Sequence, residues 1–185
     1  MTHPAYTSYE ALTHDTFSVL MWSLSYPGRV YTLPHTPESA FHAIAETLLD
    51  IETSFFTPDD AMMTTYMANG ARPLGADRAA YHFYSALDIP DLDSVQVASI
   101  GTLMYPDQSA TLIIGATIGA GQRLTFTGPG IKPQTPATIS IDGIPPAFWE
   151  LRQKAIRYPR GWDVYFVDSK CVIGLPRTTV VHVEE

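Results

Sequence analysis

Near one end of the chain a proline, a permanent cation and two hydroxyls follow one another: Pro176, Arg177, Thr178 and Thr179. Apolar strand-like runs flank them, "CVIGL" before and "VVHV" after. Proline cannot donate to a β-ladder, so Pro176 ends a strand. Arginine offers five donors in a planar fork that matches carboxylate, phosphate or phosphonate oxygens two at a time, and the threonines add two hydroxyls beside it. Two readings stay open from the residues alone. Arg177, Thr178 and Thr179 contact an oxyanion, or Arg177 ties a turn to an acidic side chain such as Asp163.

Other constellations are weaker. "TGPGI" (Thr127 to Ile131) sets Gly128 and Gly130 around a proline right after a strand. It reads first as a sharp turn, and second as amides placed to cradle an anion. "GATIGAGQRL" supplies Gly119 and Gly121, but Leu124 stands where a dinucleotide fingerprint needs its third glycine and no helix follows, so a hairpin turn is the better account. The six histidines (His3, His14, His35, His42, His82 and His182) show no zinc-type spacing, and a helix cap explains the adjacent His14 and Asp15. Of three lysines, Lys132 falls in a proline-rich loop, Lys154 on a helix face and Lys170 in a turn; none has the desolvated setting of a Schiff-base lysine. Asp59 and Asp60 read as first-turn helix residues. No catalytic residue, metal ligand or cofactor site is assigned.

Composition narrows the class. The 185 residues suffice for one domain, 1–185, with residues 1–12 loosely ordered; a chain of this size buries about 70% of its unfolded surface. Apolar residues make up 45% and charged ones 16%, a globular balance. A net charge of −8 argues against nucleic acid as the main partner, though it permits a local anion pocket. The single cysteine, Cys171, forms no internal disulfide and reads as an inert core residue. Without an apolar membrane-length run or a signal-like beginning, the expected setting is soluble and cytoplasmic.

The elements that must position these residues follow from periodicity. "THDTFSVLMWSLSYPG" predicts a helix capped by Thr13 or Asp15, with Phe17, Leu20, Met21 and Leu24 on one face and Pro27-Gly28 as its stop. "RVYTL" predicts a strand. "TPESAFHAIAETLLD" predicts a helix capped by Thr36, with Pro37 first and Ala40, Phe41, Ile44, Ala45 and Leu48 as its buried stripe. A strand over "TSFFT" precedes a helix capped by Thr57 and ended by Gly70; "AAYHFYS" follows as a strand and "PDLDSVQVA" as a short helix. "SATLIIGATIG" and "QRLTFTG" predict a hairpin turning at Ala120-Gly121. "IPPAFWELRQKAI" predicts the last helix, "WDVYFVD" and "CVIGLP" a hairpin turning at Ser169-Lys170, and "TTVVHV" a final strand. The early helix–strand alternation and late hairpins predict an α/β domain with one central mixed sheet under helices.

Taken together these stretches are recognisable. A "TGPGI" turn after Leu124, "FW" opening a helix, Pro-x-Gly-x-Asp (Pro159, Gly161, Asp163) and the closing "PRTT" occur in the order seen in PhnH proteins, subunits of the bacterial carbon–phosphorus lyase system. "TFSVLMWSLSYPGRVYTL" and "GTLMYPDQSATLII" resemble that family's earlier segments. The resemblance implies a three-layer α/β/α sandwich related to pyridoxal-phosphate-dependent transferases but lacking their cofactor site, in keeping with the three lysines. It implies a homodimer in isolation and partnership with PhnG, PhnI and PhnJ in the core complex. There the proteins support the step in which a phosphonate displaces adenine from ATP, giving a ribose-1-phosphonate triphosphate. The iron–sulfur cluster that later cleaves the C–P bond belongs to PhnJ, and the single cysteine here agrees. No catalytic residue carries over. Assembly subunit, phosphate-contacting contributor and independent small-anion-binding protein or small-molecule enzyme remain distinct readings.

Overall fold

A computed structural model describes residues 7–34 and 39–184. Among the described residues ten strands and five α-helices follow in the order α1 Ser8–Ser25, β1 Tyr31–Thr32, α2 Ala40–Leu48, β2 Ser54–Phe56, α3 Asp60–Ala68, β3 Arg72–Pro73, β4 Tyr81–Tyr84, α4 Leu92–Val97, β5 Thr111–Gly115, β6 Thr117–Thr127, β7 Ala137–Asp142, α5 Pro146–Ala155, β8 Asp163–Asp168, β9 Cys171–Leu175 and β10 Val180–Val183. Seven strands form a mixed central sheet in the order β1-β9-β8-β5-β4-β2-β3. The run from β3 to β8 is parallel, and β9 and β1 add antiparallel at one edge.

Strand residues alternate between two cores, as a period of two requires. On one face Phe55, Phe83, Ile113, Tyr165 and Val167 pack against Leu20 of α1, Ile44 and Ala45 of α2 and Tyr66 of α3. On the other, Tyr84, Leu112, Ile114, Val164 and Phe166 pack against Val95 of α4 and Phe148 and Trp149 of α5. Helices alone do not close that second face. An antiparallel sheet of order β10-β6-β7 joins them through Leu124, Phe126 and Ile141. The expected central mixed sheet is thus present, and a second, three-stranded sheet covers part of one face where helices alone were expected.

The second sheet also replaces the expected hairpin at Ala120-Gly121. β5 lies in the large sheet, and β6 runs unbroken through both glycines, with a register shift against β7 between Ile118 and Gln122. Gly121 sits at φ +77° with its missing Cβ 2.5 Å from Asp142 Cβ, so glycine is there for a bulge and a close partner strand. β7, which pairs with β6, lies in a proline-bounded stretch that gave no strand signal, as did the two-residue β3.

Helix boundaries shift for local reasons. α1 begins before the expected cap: Thr7 accepts from the Glu10 amide and Glu10 answers the Thr7 amide, a capping box. Residues 8–12 are thus helical, and His14 and Asp15 lie inside the helix, 3.2 Å apart on its surface. Its buried residues are Thr16, Leu20 and Ser23, while Phe17 and Met21 face outward. The buried side is small because α1 presses on the sheet: a Cβ on Gly174 of β9 would lie 2.5 Å from the Ser23 carbonyl carbon. Ser39 caps α2; the expected cap Thr36 and first residue Pro37 lie outside the described residues. Asp59, not Thr57, caps α3, accepting from the amides of Ala61 and Met62 at 2.9 and 3.0 Å.

Candidate functional site

The turn at 176–179 joins β9 of the large sheet to β10 of the small one, so it stands where the two sheets meet. The Thr179 amide donates to the Pro176 carbonyl at 2.9 Å, closing the turn. Every guanidinium nitrogen of Arg177 has an acceptor within the protein. Its Nε donates to Asp163 Oδ1 at 3.2 Å and its Nη2 to Oδ2 at 2.6 Å, a bidentate pair, while its amide also reaches Oδ1 at 2.8 Å. Nη1 donates to the Pro106 carbonyl. Gly161 makes room for this pairing, since a Cβ there would meet Arg177 Cβ at 3.2 Å. The Pro-x-Gly-x-Asp and "PRTT" stretches are thus two halves of one structural unit.

Thr178 is half-buried, and Thr179 is buried with its hydroxyl unpartnered. Gly128 comes to the same place: at φ +135° its missing Cβ would lie 2.8 Å from the Thr178 carbonyl oxygen. Gly130 instead abuts the end of α1, its missing Cβ 2.4 Å from the Ser25 carbonyl oxygen. The structure therefore brings Arg177, Thr178, Thr179 and Gly128 together and sets Gly130 against a different element.

A cleft of about 930 Å³ opens along this turn between α5 and β10. Trp149, Ile156, Tyr158, Val181 and Pro129 supply most of its apolar lining, and Glu150, Gln153 and His182 add polar groups. Arg152 lies in it too, and sequence reasoning missed this residue. It is 3% exposed, donating from Nη1 to the Thr179 carbonyl at 3.2 Å and from Nη2 to the Pro176 carbonyl at 3.0 Å. Burial draws its pKa down to about 10, against the opposing pull of Asp163. The signal for it was present: Arg152 stands four residues after Phe148, on the buried stripe of its helix.

The remaining candidates are elsewhere. His82, on β4, is fully buried and its Nδ1 lies 3.2 Å from the Tyr84 hydroxyl, which in turn meets Ser94 Oγ at 2.8 Å. Desolvation holds its pKa down to about 4, so the ring is neutral. Cys171 is half-buried at the start of β9, less enclosed than a core position. All three lysines are exposed. Among the described residues no cluster of three or more His, Cys, Asp or Glu side chains can hold a metal ion, and no helix is long and apolar enough to cross a membrane.

Fold and site define a mixed α/β protein with an arginine-bearing turn over a cleft of mixed apolar and polar lining. Residues 4–182 match the family described as Bacterial phosphonate metabolism protein (PhnH), and the chain belongs to that family. A protein of Stutzerimonas stutzeri named as the C-P lyase subunit protein HtxG is 32% identical over 172 residues, covering 91% of this chain and 85% of its own. The Rhizobium meliloti protein named alpha-D-ribose 1-methylphosphonate 5-triphosphate synthase subunit PhnH is 36% identical over 100 residues, 52% of this chain and 47% of its own.

Proposed function

We propose that the chain is a C–P lyase core-complex subunit that assembles with PhnG, PhnI and PhnJ. With them it supports displacement of adenine from ATP by a phosphonate, yielding a ribose-1-phosphonate triphosphate. The observation that carries this reading is the family match along residues 4–182, joined to a relative named as a subunit of the corresponding synthase. The role is accessory: no residue of the chain is given a bond-making task. A transferase-like α/β/α ancestry without a cofactor, a homodimer in isolation and a cytoplasmic setting belong to the same reading. Helix α1 offers a surface for assembly, since Phe17, Met21 and Trp22 are 52%, 44% and 47% exposed. Within this reading the turn at 176–179 frames the oxyanion contact: Thr178 and Thr179 border the cleft, and the Arg177–Asp163 pair holds the turn in place.

Affinity-tagged chain expressed with its genomic neighbours tests the assignment. Copurification of PhnG, PhnI and PhnJ, with loss of phosphonate-dependent growth on deletion, is the expected result. A chain that purifies alone and whose deletion leaves that growth intact refutes it.

A further inference from the structure

The two arginines beneath the turn differ in what balances their charge. Arg177 has its own carboxylate in Asp163. Arg152 has only carbonyl partners, and the carboxylate whose charge it feels is the one Arg177 already holds. A buried cation without a counter-ion is costly, and so are buried donors without acceptors. Three of the eight buried, unpartnered side-chain polar atoms among the described residues belong to residues lining this one cleft: Arg152 Nε, Trp149 Nε1 and Thr179 Oγ1. Arg152, Trp149 and Thr179 are 3%, 7% and 2% exposed. Around them apolar groups, from Ile156 at the end of α5 to Val181 on β10, share the lining with Glu150, Gln153 and His182, so the cleft also holds one carboxylate that a bound anion must avoid.

We infer that the cleft between α5 and β10 binds an organic oxyanion, an apolar or aromatic body carrying a phosphonate or phosphate head, and that Arg152 rather than Arg177 is the cation that receives the head. The inference deepens the proposed function, on which it rests for the choice of head group. Every element has a separate origin in the fold. α5 and its C-cap supply Trp149, Arg152 and Ile156 from one side, at spacings of three and four residues. The turn supplies Thr179, and its carbonyls fix the Arg152 guanidinium by two of its three nitrogens, leaving Nε unpartnered. The Arg177–Asp163 pair holds the turn in place and takes no ligand. Because the protein as a whole is acidic, at −8, attraction of an anion here depends on this local charge.

Calorimetric titration of the full chain with phenylphosphonate tests this, with phenyl phosphate and inorganic phosphate separating head-group sources and benzyl alcohol testing the body alone. Phenylphosphonate is expected to bind more tightly than either inorganic phosphate or benzyl alcohol, with affinity lowered at least roughly tenfold by Arg152→Met, which keeps the bulk but not the charge. Gln153→Trp, at an exposed rim position of the same helix, fills the cleft without touching the core and is expected to weaken binding as much. No binding by the wild-type chain at millimolar probe overturns the inference, as does undiminished binding by Gln153→Trp or by folded Arg152→Met. Should Arg152→Met fail to fold, Gln153→Trp decides alone. The proposed function fails separately: a chain that binds phenylphosphonate but does not copurify with the complex keeps this site and loses that role, and the converse result does the reverse.

Discussion

Arg152 and Arg177 reach the same turn from opposite sides and do different work. Arg177, with its side chain 17% exposed, is met by a bidentate carboxylate and a carbonyl. Arg152, almost wholly enclosed, is met by two carbonyls and leaves Nε unpartnered. The first arrangement is self-contained, a scaffold that holds the junction between the two sheets. The second is incomplete, so its energy depends on what enters beside it. The comparison teaches that a conspicuous polar motif can be the frame, while the charge left without its own counter-ion sits on an apolar helix stripe nearby.

The largest effect expected from breaking this contrast comes from Arg152→Ala. It removes the donors to the Pro176 and Thr179 carbonyls and empties a buried volume, and should cost roughly 3–4 kcal/mol in urea unfolding. A cost near that of a surface substitution would mean that Arg152 is not part of the buried frame at all.

His82 gives a second buried polar group, with an unpartnered Nε2 of its own, far along the sheet from the turn. Its native pKa, about 4, lies below the ordinary value of 6.5. Above pH 6.5 both folded and unfolded forms are neutral and the group adds no pH dependence. As pH falls from 6.5 to 4, the unfolded chain takes up a proton that the native one refuses, and stability drops by roughly 3 kcal/mol in total. His82→Phe should flatten that part of the stability–pH curve; an unchanged slope assigns it to other groups.

How much of this was legible in the residues depends on the range of the signal. β8, its turn and β9 were read correctly because the hairpin is local: two apolar runs and a two-residue turn contain it. α2, α3 and α5 carried enough apolar periodicity to be found, though caps at Ser39 and Asp59 were misplaced by a few residues. The second sheet was not legible, because β10 returns to β6 from far along the chain, β7 carried no strand signal of its own, and the glycines of β6 signal a bulge and a turn alike. α1 misled in the opposite direction: its large apolar residues face outward because its inward face must be small where it lies against Gly174. The arginine turn was visible as a motif, and Asp163 was the acidic partner considered for it. Arg152 escaped because a charge within a helix normally reads as solvent-facing.

Arg177→Ala sharpens the contrast from the paired side. Loss of a partly buried, charge-assisted pair should cost about 1–3 kcal/mol, and Asp163 is left without its fork. Arg177→Lys should recover only part of that, since an ammonium cannot make both contacts. Full recovery by lysine would show that charge alone, without bidentate geometry, holds the turn.

The smallest effect is expected at Thr179, and its sign is the informative part. The hydroxyl is buried and has no partner, so it contributes desolvation cost without a compensating hydrogen bond. Its carbonyl and amide do the turn's work, accepting from Arg152 and donating to Pro176, and neither depends on the side chain. Thr179→Val keeps the β-branched shape that suits the start of β10 while removing the hydroxyl. The free protein should therefore be unchanged or more stable, by up to about 1 kcal/mol. If the hydroxyl instead serves an oxyanion in the cleft, the same variant should lose affinity for phenylphosphonate by a few-fold while gaining or holding stability. A variant that is destabilised by about 1 kcal/mol or more would place a bound water or another unseen partner on the hydroxyl. In that case the incomplete side of the comparison rests on Arg152 and Trp149 alone.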